Sequence, residues 1–169
     1  MNIKNKRLTQ PQKDILNKIS VYIDKPIYIY GSINRLDYIY GKSDIDVDIF
    51  TENESSTINM LSALLNLNKI DFKKSILKID SHMIFGYKTQ YLDEENGINL
   101  EMSIYNEKYK DIVLYDHNGR YYPFYITAIL YIIKILFYNL NLISKKGYKR
   151  CKRFLMNPGD EVKFIEFDN

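Results

Sequence analysis

The chain has 169 residues, 46% hydrophobic and 27% charged, and its 24 Lys and Arg against 21 Asp and Glu give a formal net charge of +3. These proportions exclude a disordered or low-complexity polymer and suit one domain with a sizeable core. The charge balance excludes a protein that holds nucleic acid by bulk charge alone. The single Cys151 excludes an internal disulfide, and Met1 to Arg7 has no apolar signal core. A reducing, cytoplasmic location is the expectation.

From the N-terminus, Gln10 to Ile23 has helical spacing, with Ile15, Ile19 and Tyr22 on one face and Pro11 in the first turn. Pro26 closes that helix, and Ile27 to Tyr30 reads as a strand that delivers Gly31-Ser32 at its end. Asp44 to Phe50 reads as a second strand. The polar run Thr51 to Ser56 turns the chain, and a Ser cap opens a helix through Ile58, Leu61, Leu64 and Leu65. Two strands follow around 75–79 and 83–91. Asp93 to Gly97 then makes a hairpin turn into an alternating strand, Ile98 to Ile104, which carries Glu101.

The remainder reads as helical: Asn106 to Tyr115, Pro123 to Ile143 and Lys145 to Met156. A turn follows over 157–160, and Val162, Phe164 and Phe167 suggest a short strand or docking tail. Pro123 to Ile143 approaches a membrane span in length, but Lys134 near its middle and Asn139 and Asn141 after it make a buried helix the better reading, with no membrane partner. The expected fold is α/β of the α+β kind: a mixed sheet of about five strands with packed helices. Residues 1–120 form the core and 121–169 a helical extension packed on it as one unit.

The chemistry concentrates in Ser43-Asp44-Ile45-Asp46-Val47-Asp48. In a strand, Asp44, Asp46 and Asp48 share one face while Ile45, Val47 and Ile49 share the other. Carboxylates spaced along one face repel and are costly to desolvate, which a bound divalent cation reverses. An oxygen-only donor set with no nearby His or Cys suits Mg²⁺ or Mn²⁺ rather than zinc. A calcium loop is excluded, because Ile49 and Ser55 stand where the EF-hand needs Gly and Glu. Gly31 lets the backbone turn sharply and approach a polyphosphate, and Ser32 offers it a hydroxyl and an amide.

An apolar strand ending in Gly31-Ser32, a spacer, and Asp44-Ile45-Asp46-Val47 together resemble the signature of the DNA polymerase β-like nucleotidyltransferase superfamily, in its minimal form. The resemblance implies a third carboxylate on a later strand, which Leu100-Glu101-Met102 fits, although Asp80 and Asp93 are rivals. It implies that Asp44, Asp46 and Glu101 hold the metal and act in catalysis, and that Gly31, Ser32, Lys42 and Ser43 contact an NTP, the substrate. The implied reaction moves NMP from NTP to a hydroxyl of an RNA end, a protein or a small molecule, releasing pyrophosphate. Leu36 stands where small-molecule transferases of this kind often carry a small residue, which weighs against their acceptor site. The runner-up is a silent nucleotide- or RNA-binding module of the same fold. An interaction protein with an incidental acidic strand comes third.

Six of the nine residues from Lys145 to Arg153 are basic. Lys149, Arg150, Lys152 and Arg153 are thus candidate contacts for RNA or triphosphate. His82 and His117 show no zinc spacing and receive no role. A homodimer is compatible with all of this.

Overall fold

The computed structural model describes residues 7–119, 122–156 and 165–166. Its strands are β1 (Ile27–Tyr30), β2 (Ile45–Thr51), β3 (Lys73–Ile79), β4 (His82–Asp93), β5 (Ile98–Asn106) and the two-residue β6 (Ile165–Glu166). They form one sheet in the order β1-β2-β5-β4-β3-β6. β2 and β5 run parallel, and every other pair is antiparallel. The expected mixed α+β sheet is therefore present.

Period-two alternation sorts the strand residues onto two faces. Ile45, Val47 and Ile49 of β2, with Leu100, Met102 and Ile104 of β5, pack against α1 (Gln10–Ile23) and α2 (Glu54–Leu65). On the opposite face Phe50, Tyr105, Leu77 and Ile84 gather around Val113 of α3 (Lys110–Gly119). This second cluster occupies only part of that face. The beginnings of β2 and the middle of β5, with Asp46 and Glu101, remain accessible on the same side.

Local chemistry sets the element ends. Thr9 caps α1 reciprocally with Gln12, and the helix exits through Asp24 in the left-handed region (φ 51°). Its buried face is Gln12, Leu16, Ile19, Ser20 and Ile23; of the expected residues Ile19 is buried, Ile15 packs against the core from its edge, and Tyr22 is exposed. Asn53, not a serine, caps α2, its side-chain oxygen accepting from the Ser56 amide at 2.9 Å. The hairpin into β5 turns as expected, with Gly97 at φ 61° and Asn96 bonded to Asp93.

Two further helices are α4 (Phe124–Tyr138) and α5 (Lys145–Met156). α4 stops five residues short of the expected Ile143, and Asn141 adopts a left-handed conformation at φ 51°. Nor is α4 buried all round: Thr127, Leu130 and Lys134 are buried, while Phe124, Tyr125, Ile129 and Ile132 are exposed. Composition reports apolar character but not which side of a helix is covered. Among the described residues no single helix is long and apolar enough to cross a membrane. The expected turn over 157–160 and the residues Val162, Phe164 and Phe167 lie outside the described residues, while Ile165–Glu166 pairs with β3.

Lys134 is an anchor. Its ammonium lies 3.1 Å from Asp37 Oδ2 and donates to Ser43 Oγ at 3.2 Å, while Arg35 grips Asp37 from its other side at 2.8 and 3.1 Å. Burial alone would raise the Asp37 carboxyl, but the Arg35 hydrogen bond and the Lys134 charge hold it below the usual carboxylate range. Burial pushes the Lys134 ammonium the other way, below its ordinary value. Lys134→Ala leaves Asp37 with one partner where it had two. Urea denaturation should show a loss of about 2–3 kcal/mol, with Lys134→Met less costly because its stem still packs.

Candidate active site

Strand register brings the acidic residues together. Tyr30 of β1 pairs with Asp46 of β2, and Asp46 pairs in turn with Glu101 of β5. Because β2 and β5 are parallel, the two acids sit side by side on the face that α3 leaves open. Asp44, immediately before β2, joins them. One ligand oxygen from each of Asp44, Asp46 and Glu101 lies within 4.8 Å of the others. Asp80, in the left-handed turn between β3 and β4, and Asp93, in the hairpin turn, do not belong to this cluster.

Gly31 is fixed by a contact that its sequence context does not announce. At φ +78° it lies so close to β2 that a Cβ there would stand 1.8 Å from Asp46 Oδ2. Any side chain at position 31 must displace the Asp46 carboxylate. Ser32, next along, is only 4% exposed, lines the cleft, and its Oγ has no hydrogen-bond partner among the described residues. A buried hydroxyl without a partner costs free energy unless a ligand satisfies it. The helical turn that begins at Gly31 is four residues long, so the hydroxyl is the better anion contact there than a helix dipole.

The cleft holds about 430 Å³ and mixes both charges. Asp46 and Glu101 form its acidic part, and Arg35, Lys88 and Lys152 its basic part. Lys88 pairs directly with Glu101. The Arg35 guanidinium sits 5.1 Å from the centre of the Tyr122 ring. Burial first, then the charges of Asp44 and Glu101, push the Asp46 carboxyl up to about 7, against the pull of Lys152 and Lys88. Three oxygen donors in mutual reach, one of them reluctant to ionise alone, fit a hard divalent cation such as Mg²⁺ or Mn²⁺.

Compared with protein-family models, with curated proteins and with solved structures, the chain matches none. Its function has to be read from the site itself.

The other expected contacts divide. Lys42 and Ser43 are engaged elsewhere and do not line the cleft. Lys42 donates to Tyr138 O at 3.1 Å and to Asn139 Oδ1 at 2.8 Å, while the Ser43 hydroxyl accepts from the Ile39 amide at 3.0 Å and from Lys134. Both tie the 35–43 loop to itself and to α4. Of the basic residues of α5, Lys152 lines the cleft, whereas Lys149, Arg150 and Arg153 are exposed.

Asp48, the third acid on the β2 face, is fully buried and outside the acidic cluster. His117, given no role from sequence, lines the cleft with its Nδ1 2.9 Å from Asp48 Oδ2. Its ring stacks on Tyr30 with centroids 3.9 Å apart at 15°. Burial raises the Asp48 carboxyl and His117 draws it back. No spacing rule links one histidine on a late helix to one aspartate on an early strand, so no sequence signal could have found this pair.

Without metal, Asp46 binds its proton more tightly folded, near pH 7, than unfolded, near pH 4. Native stability is therefore lost as pH rises through that window, and the penalty is complete above it. Asp46→Asn removes the penalty. In EDTA at pH 8 the variant should melt about 3–6 °C above wild type, and differential scanning calorimetry should find the gap closed by pH 4.

Proposed function

We propose that the protein is a metal-dependent nucleotidyltransferase that moves NMP from an NTP to a hydroxyl acceptor. The carrying observation is the convergence of Asp44, just before β2, with Asp46 and Glu101 on the open sheet face, beside a buried Ser32 hydroxyl that has no partner among the described residues and cations able to meet phosphate. Asp44, Asp46 and Glu101 would hold the ion. A bound Mg²⁺ or Mn²⁺ supplies charge neutralisation at phosphate oxygens and acidifies an attacking hydroxyl.

The chain's own residues do the rest. Ser32 donates its free hydroxyl to a phosphate oxygen, and Arg35 and Lys152 offset the charge of the polyphosphate. Arg35 can meet that charge because Asp37 and Tyr122 already restrain it, so little side-chain entropy remains to be lost. Lys88, paired with Glu101 before any ligand arrives, limits the repulsion among the acids. In the transfer itself the acceptor oxygen forms a bond to the α-phosphorus and the bridging P–O bond breaks. Pyrophosphate leaves with the electron pair, and the acceptor's proton passes to the acidic cluster.

The test pairs binding with turnover. Incubated with Mg²⁺, each of four labelled NTPs and total RNA or protein, wild type should transfer label, and Asp44→Ala with Asp46→Ala should lower transfer at least a thousandfold while the fold persists by circular dichroism. Undiminished transfer by the double variant would defeat the assignment. Metal-dependent binding with no transfer to any acceptor would leave the silent binding module.

A further inference from the structure

We propose that α5 guides a single-stranded nucleic acid into the cleft, so that the acceptor hydroxyl belongs to the end of a polynucleotide. This rests on the nucleotidyl-transfer reading and specifies its acceptor.

The twelve residues of α5 include Lys145, Lys146, Lys149, Arg150, Lys152 and Arg153 and no acidic residue. A helix face that serves only solubility usually interleaves the two signs, because opposite charges four residues apart support a helix and like charges weaken it. Here Lys145, Lys149 and Arg153 form one row at that spacing, and Lys146 and Arg150 form another. Both rows cost helix stability unless a polyanion lies across them.

The helix's rotation gives the rows a direction. Tyr148 is buried and stacks on Phe137 of α4 with centroids 4.6 Å apart at 5°, which fixes which side of α5 faces inward. Lys152 and Met156 line the cleft. At about 100° per residue the row Lys145, Lys149, Arg153 lies next to them, and the row Lys146, Arg150 lies beyond it. The positive stripe therefore begins inside the cleft and continues out of it across exposed surface. Successive members of a row rise about 6 Å, of the order of one nucleotide of extended strand. Phe154, 76% exposed and next to Arg150 around the helix, offers a base a stacking face. A strand can follow this stripe into a cleft of about 430 Å³, and a flat anionic membrane cannot.

The experiment uses the full chain, a fluorescein-labelled twelve-nucleotide oligouridylate, and vesicles of phosphatidylcholine with phosphatidylserine. Lys149→Ala, Arg150→Ala and Arg153→Ala combined should weaken oligonucleotide binding at least tenfold and flatten its log-log salt slope by about 2. ATP binding with Mg²⁺ should stay unchanged in that variant. Asp44→Asn with Asp46→Asn should keep the oligonucleotide and lose the metal dependence of ATP binding. With ATP or UTP, wild type should lengthen the strand and the triple variant should not at matched concentration. Equal oligonucleotide affinity in the triple variant overturns the acceptor proposal alone, as does vesicle binding that depends on these residues while oligonucleotide binding does not. ATP binding indifferent to Asp44 and Asp46 overturns the parent reading, and the acceptor assignment with it.

Discussion

Three carboxylates held within reach of one another are the constraint around which the molecule is arranged. Their closeness follows from the parallel register of β2 and β5, which sets Asp46 beside Glu101, and from the absence of a side chain at Gly31, which leaves the Asp46 carboxylate its space. Burial first, and then the crowding of like charges, keep the Asp46 carboxyl raised. Lys88 relieves part of that crowding through Glu101, and Lys152 adds positive charge from α5. Without a cation among them, the like charges of this cluster cost stability.

Charge also joins the late helices to the early loop. Arg35, Asp37, Lys134 and Ser43 form a buried network that docks α4 on the segment between β1 and β2. The same segment presents Arg35 to the cleft, and α5, packed on α4 through Tyr148 and Phe137, presents Lys152. Helix α5 thus helps to build the cleft wall, carried there by its packing on α4. Asp48 and His117 do similar work on the other side, where their contact and the Tyr30 stack hold α3 against the start of the sheet.

What sequence could reveal follows from how each feature is encoded. The acidic strand was legible because alternation is local, and the turn into β5 was legible in Asp93, Asn96 and Gly97, whereas the parallel pairing that sets Glu101 beside Asp46 is long-range and has no local signal. Helix α5 has the bounds its composition suggests. That Lys42 and Ser43 turn away from the cleft was not legible, because nearness in sequence to Asp44 does not say where a side chain points; a lysine 91 residues away claims the Ser43 hydroxyl. Lys134 stood out in the sequence as a charge within an apolar helix, yet its partner on a distant loop left no trace in local pattern. The steric demand at Gly31 was hidden for the same reason, since it arises across the β1–β2 pair and not along the chain.

If the vacant Cβ position at Gly31 sets the Asp46 carboxylate in place to share a divalent ion with Asp44 and Glu101, filling that position should weaken the ion's binding. The most direct test is Mn²⁺ titration followed by electron paramagnetic resonance on wild type and on Gly31→Ala, each checked for its fold by circular dichroism. Wild type should remove free Mn²⁺ signal in a saturable way, and the folded alanine variant should bind at least tenfold more weakly. A folded Gly31→Ala protein that binds Mn²⁺ as wild type does, or a wild type that binds none, would contradict this arrangement.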